Sequence, residues 1–96
     1  MPSYRVLVVP GTLHRGTDPA AVLPAAIDAA SAHTTVEAGT VDVVRGRPRV
    51  TVRYESPDDL TAAHIGRAVV ARVDELVVVE TSRITRRFGN RWHPLR

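Results

Sequence analysis

Apolar and polar positions follow two different periods along this chain, and each change of period marks an element. Residues 4–9 are apolar on both faces at Val6, Leu7, Val8 and Val9, the pattern of a central strand covered on two sides, and Pro10 and Gly11 are expected to end it. Over residues 18–33 the period becomes helical. Leu23, Ala26, Ile27 and Ala30 share a face, Asp18 suits the N-cap and Pro19 the first turn, while Pro24 bends the helix or marks its true start. Two β-rich runs, 35–44 and 49–55, then flank "RGRP", which reads as a hairpin turn, with Gly39 a candidate bulge.

"SPDD" opens the next helix, with Ser56 as cap, Pro57 in the first turn, and Asp58 and Asp59 near the positive end of the dipole. Ala62, Ile65, Val69, Val73 and Leu76 form its inner face; His64, Arg67, Ala71 and Asp74 look outward. A last strand starts near Leu76 and runs through "VVVETSRI". Gly89 and Asn90 then make a two-residue type II′ loop. The strand folding back sets Trp92 opposite Arg87, Arg91 opposite Phe88 and Leu95 opposite Ile84, with Arg87 over the Trp92 ring.

The order β-α-β-β-α-β predicts an α+β chain, a ferredoxin-like plait with a C-terminal β-hairpin extension, spanning residues 1–96 as one domain. Helices in this plait cover one face of the sheet. Because 6–9 and 76–79 are apolar on both faces, something must cover the second face, and a second copy of the chain is the expected cover, which makes a homo-oligomer the structural expectation.

Composition narrows the chemistry. There is no cysteine, so disulfide frameworks and thiolate metal sites are excluded. No apolar run approaches the roughly 20 residues of a membrane span, and a soluble cytoplasmic chain that loses only Met1 is expected. All 13 basic residues are arginine. After Glu80 come Arg83, Arg86, Arg87, Arg91 and Arg96 with no acid, an asymmetry that points to an anionic partner.

Several familiar site patterns fail on their own residues. "PGTLHRGT" has the glycine spacing of a phosphate loop, but Thr17 stands where the lysine would be and Pro19 removes an amide. His14, His33, His64 and His93 never fall in a paired spacing, so no metal site is expected, and no cofactor is called for. Asp58 and Asp59 point about 100° apart on a helix and do not converge on one substrate.

Met1 followed by Pro2 would mature to an N-terminal proline leading straight into a strand. Two β-α-β halves follow it, and arginines and Phe88 close the last strand. In these respects the chain resembles the tautomerase superfamily, whose members use an N-terminal proline base and arginines that bind acidic substrates; the resemblance implies an alternative enzymatic reading with Pro2 as the base.

The plait is also the fold of the RNA-recognition module, and arginine interleaved with aromatics suits nucleic acid, although "RVTVRYES" lacks that module's aromatic signature. The favoured expectation is a binding or assembly component of a larger complex that contacts protein through Arg86, Arg87, Phe88, Arg91 and Trp92. Nucleic acid at the same surface is the alternative.

Overall fold

The computed structural model describes residues 1–95. Five strands, β1 (Ser3–Leu13), β2 (Val36–Val44), β3 (Arg47–Glu55), β4 (Val77–Phe88) and β5 (Arg91–Pro94), form one sheet in the order β2-β3-β1-β4-β5, every neighbour antiparallel. Two helices, α1 (Val22–Ser31) and α2 (Asp59–Asp74), pack on one face. This is the ferredoxin-like β-α-β-β-α-β plait extended by β5. Among the described residues no helix is long and apolar enough to cross a membrane.

The core lies between the helices and the inward positions of the three central strands. Tyr4, Val6 and Val8 of β1 and Val50, Val52 and Tyr54 of β3 are buried against Ala26 and Ala30 of α1 and Ala62, Ile65, Val69 and Val73 of α2. Alternation alone puts these six strand residues on one face. Gly66 brings α2 close to the sheet: a Cβ there would lie 2.3 Å from Cδ1 of Ile84.

Local chemistry departs from the sequence expectations at several points. β1 does not end at Pro10; it continues to Leu13 through two register shifts, and a bulge is where a strand accommodates a residue without an N–H. A 3-10 turn, Pro19–Ala21, precedes α1, capped by Asp18, whose Oδ1 accepts from the Ala20 amide at 2.9 Å. Pro24 therefore sits in the first turn of α1, where its missing N–H costs nothing.

The irregularity in β2 falls between Val36 and Ala38, not at Gly39, whose lack of a side chain instead admits Ile27 of α1. The β2–β3 turn is Arg45–Gly46, both at positive φ, so Pro48 lies inside the edge of β3. Ser56 is fully buried and does not cap α2; its hydroxyl donates to the Asp58 carbonyl at 3.1 Å. Asp58 is the cap, accepting from the Thr61 amide at 2.7 Å, and its hydrogen bonds to Thr61 hold its carboxyl below the usual range.

The second face of the sheet is not the broad apolar surface expected from the sequence. Of the apolar positions on β1 only Leu7 and Val9 look that way, both half-buried, and Leu7 lies between Thr51 and Arg83. Leu76 sits in the turn before β4, Val77 is buried on the helix side and Val79 packs against the core, while Val78, 49% exposed, joins Leu7 and Val9 on the second face. The premise for a covering second copy therefore narrows to a thin aliphatic strip in an arginine- and threonine-rich surround.

Candidate functional site: the uncovered sheet face

Successive residues of a strand point to opposite faces, so burying Tyr4, Val6 and Val8 necessarily turns Arg5, Leu7 and Val9 outward. The same alternation turns out Arg49, Thr51 and Arg53 on β3. Register aligns them across the sheet. Arg53, Arg5, Thr85 and Pro94 form one row over β3, β1, β4 and β5, and Thr40, Thr51, Leu7 and Arg83 form the next.

The β4–β5 hairpin completes this face. Gly89 has φ 62° and Asn90 does not share the left-handed region, as a type II′ turn requires. Arg87 pairs with Trp92, Phe88 with Arg91, and the Leu95 amide donates to the Ile84 carbonyl at 2.9 Å, the register expected from the sequence.

The guanidinium over the indole is a different one, however. Arg87 is held by its own turn, its Nε donating to the Gly89 carbonyl at 2.6 Å. Trp92 lies instead 4.3 Å from the Arg5 guanidinium carbon and 5.3 Å from that of Arg53. Its ring thus reaches from the edge strand across to charges on β1 and β3.

A small cavity of about 200 Å³ opens here, lined by Arg5, Ala38, Thr40, Thr51, Arg53 and Trp92. Charge on the face is only partly compensated. Arg49 pairs with Asp42 at 3.0 Å, and Arg53 uses Nε for a long 3.4 Å contact with Glu37. Among the described residues no acid lies within 4.0 Å of Arg5, Arg83 or Arg87. Burial, followed by the like charges of Arg83, Arg49 and Arg53, pulls the Arg5 guanidinium below its ordinary pKa. Thr85, 5% exposed in the same row, has a hydroxyl with no hydrogen-bond partner among the described residues.

The five residues singled out from the sequence do not form one surface. Arg87 and Trp92 belong to the uncovered face. Arg86 and Phe88 point to the helix side, with Arg91 paired to Phe88. Arg86 acts as a clamp between β4 and α2: its Nη1 donates to Asp59 Oδ1 at 2.9 Å, an oxygen that also accepts from the Tyr4 hydroxyl at 2.7 Å. The bond from Tyr4 and then that from Arg86 draw the Asp59 carboxyl below its usual range. Phe88 packs edge-on against His93, and Arg86 lies over Phe88. Pro2 stands at the foot of β1, its carbonyl accepting from the Ser56 amide at 3.2 Å.

Elsewhere, α1–α2 packing brings the His33 and His64 rings edge-to-face at 5.9 Å. An apolar cleft of about 640 Å³ lies at the opposite end of the plait, between Leu13 and Val77 on one side and Pro19, Leu23, Val41 and Pro48 on the other.

Fold and face together define a ferredoxin-like α+β plait with an open, arginine-lined sheet surface. No family model and no curated protein matches the chain. Among solved structures it is similar to a protein of Chloroflexus aurantiacus J-10-fl that carries the name antibiotic biosynthesis monooxygenase, at 14% identity and a TM-score of 0.51, covering 93% of this chain and 96% of that one. It also aligns with an amidase of the hydantoinase/carbamoylase family from Burkholderia multivorans, at 20% identity and a TM-score of 0.43, over 98% of this chain but 28% of that one. The first likeness shows the fold.

Proposed function

We propose that this chain is a non-enzymatic binding module whose working surface is the uncovered face of the sheet, where Arg5, Arg53, Arg83, Arg87 and Trp92 receive an anionic partner. The observation that supports this reading is an excess of guanidinium groups: among the described residues Arg5, Arg83 and Arg87 have no carboxylate within 4.0 Å, and Arg53 has only its long Nε contact with Glu37. Like charges held together on a rigid sheet repel, and an anion laid over them relieves that repulsion while making charge-assisted hydrogen bonds. Arg86 is excluded from the surface because it points to the helix side, where Asp59 engages it.

A direct test uses polyglutamate and tripolyphosphate at low ionic strength, followed through the fluorescence of Trp92, the chain's single tryptophan. Binding is expected, and Arg83→Glu with Arg87→Glu should weaken it at least ten-fold. If no anion perturbs Trp92, or if the double reversal changes nothing, the reading is wrong.

A second reading, self-association, is favoured by one feature. Val41 and Val43 of the edge strand β2 are 52% and 67% exposed, and Val41 borders the apolar cleft. An apolar edge strand is a template for pairing with another copy. Stacking two uncovered faces would instead bury like charges. Light scattering should then report a dimer that Val43→Lys converts to a monomer; a wild-type chain that stays monomeric at high concentration would remove this reading.

A further inference from the structure

We infer that the anionic partner of the uncovered face is single-stranded nucleic acid, with one phosphate seated between Arg5, Arg53, Thr40 and Thr51 and one base laid against Trp92. This rests on the proposed function above and adds the chemistry of the partner.

Guanidinium groups alone do not distinguish phosphate from carboxylate, since both accept paired N–H bonds. The placement of Trp92 does. Its ring lies within the charge cluster, 4.3 Å from the Arg5 guanidinium, so a ligand meeting the arginines also meets an aromatic plane. A run of Asp and Glu has nothing flat and apolar at that spacing from its charges. A nucleotide strand does, because each phosphate is followed by a base whose face stacks on rings and guanidinium planes alike.

The cavity supports the same assignment. Two hydroxyls, Thr40 and Thr51, join two guanidinium groups around about 200 Å³. Arg53 meets Glu37 through Nε, which leaves its terminal nitrogens for another acceptor. From this cavity the unpaired charges continue to Arg83 and Arg87 on β4, strands being about 4.8 Å apart, so a backbone crossing the sheet meets a cation on successive strands. Glu37 and Asp42, the acids on β2 beside the cluster, are already paired with Arg53 and Arg49.

The strand must be single. Trp92 is half-buried on a sheet and does not project, so it cannot enter a groove; only an unpaired base offers it a π-face.

The experiment compares a mixed-sequence oligonucleotide of about 12 nucleotides, as RNA and as DNA, with its duplex and with polyglutamate. Binding is read both by Trp92 quenching and by anisotropy of a labelled strand. Saturable binding of the single strand is expected, with quenching, and with log K falling against log salt at about −0.7 per phosphate engaged. Trp92→Ala should weaken binding about ten-fold or more by anisotropy. Arg83→Gln, an exposed site whose fold is checked by circular dichroism, should reduce the salt slope by about 0.7; Arg5→Gln should do the same if it folds.

Polyglutamate binding as tightly as the oligonucleotide would overturn the inference and leave the binding-module reading standing. Duplex binding as tightly as the single strand, or oligonucleotide binding that neither quenches Trp92 nor responds to its replacement, would also overturn it. Binding of neither polymer would overturn the inference, and the binding-module reading with it if tripolyphosphate also leaves Trp92 unperturbed.

Discussion

Replacing Tyr54 with alanine is expected to destabilise the fold by about 4 kcal/mol, toward the upper end of what truncating one buried aromatic side chain costs. Tyr54 is 0% exposed on the helix-facing side of β3, near the strand's C-terminal end. Its ring stacks on Tyr4 with centroids 6.2 Å apart, and its hydroxyl donates to the Ala62 carbonyl at 2.7 Å. It also lies where α2 comes closest to the sheet, since a Cβ on Gly66 would stand 3.1 Å from its hydroxyl oxygen.

Alanine therefore removes an aromatic volume that neither element can move in to fill. A domain of this length has total stability on the order of 10 kcal/mol, so the loss should lower the melting temperature by about 20 °C. Tyr54→Phe keeps the ring and gives up one hydrogen bond, for about 1 kcal/mol. Urea titrations followed by circular dichroism separate the two variants. Equal effects would mean that the hydroxyl, not the ring, carries the contribution, and the packing argument for Tyr54 would fail.

The same residues show why the fold is legible in the sequence and the site is not. Helix faces and strand alternation are local periods, and "SPDD", Asp18-Pro19 and Gly89-Asn90 are local turn chemistry; the element order follows from these alone. Even there the cap of α2 is ambiguous, because a serine before proline looks like a cap until Asp58 is seen to take that role.

The surface depends on register. Arg5 and Arg53 stand 48 positions apart in the chain and become neighbours only through the β1–β3 pairing. Thr85 joins them only through β4. The concentration of arginine after Glu80 draws attention to the end of the chain, yet alternation sends Arg86 and Phe88 to one side of the sheet and Arg87 to the other. One usable signal is present: Arg5-Val6-Leu7 and Arg53-Tyr54 each place an arginine beside a residue that must be buried, so each arginine has to face away from the helices.

Alkaline pH should unfold the protein, and the two tyrosines should report it. Tyr4 and Tyr54 are the only tyrosines, and both are fully buried. Burial pushes the Tyr4 phenol up to about 12, helped by its hydrogen bond to Asp59 and opposed by Arg86. Burial, then the nearby Tyr4, raises Tyr54 as well. In the unfolded chain a phenol titrates near pH 10.

A folded-state pKa above the unfolded one means that the native state holds the proton more tightly, so the contribution is complete below about pH 10 and is lost as pH climbs toward 12. For Tyr4 alone, with solvent near Asp59 screening part of the effect, that loss is about 2 kcal/mol, or roughly 10 °C in melting temperature. Asp59 acts at the other end: its depressed carboxyl favours the fold above about pH 4 and ceases to do so as acid protonates it. In an alkaline titration, tyrosinate absorbance should rise together with the loss of circular dichroism, because both phenols ionise more readily in the unfolded chain than where they lie. Tyr54→Phe should flatten the dependence of melting temperature on pH without abolishing it, since Tyr4 still titrates. Tyrosinate appearing near pH 10 in a chain that keeps its secondary structure would show that the Tyr4–Asp59–Arg86 clamp does not seal this end of the core.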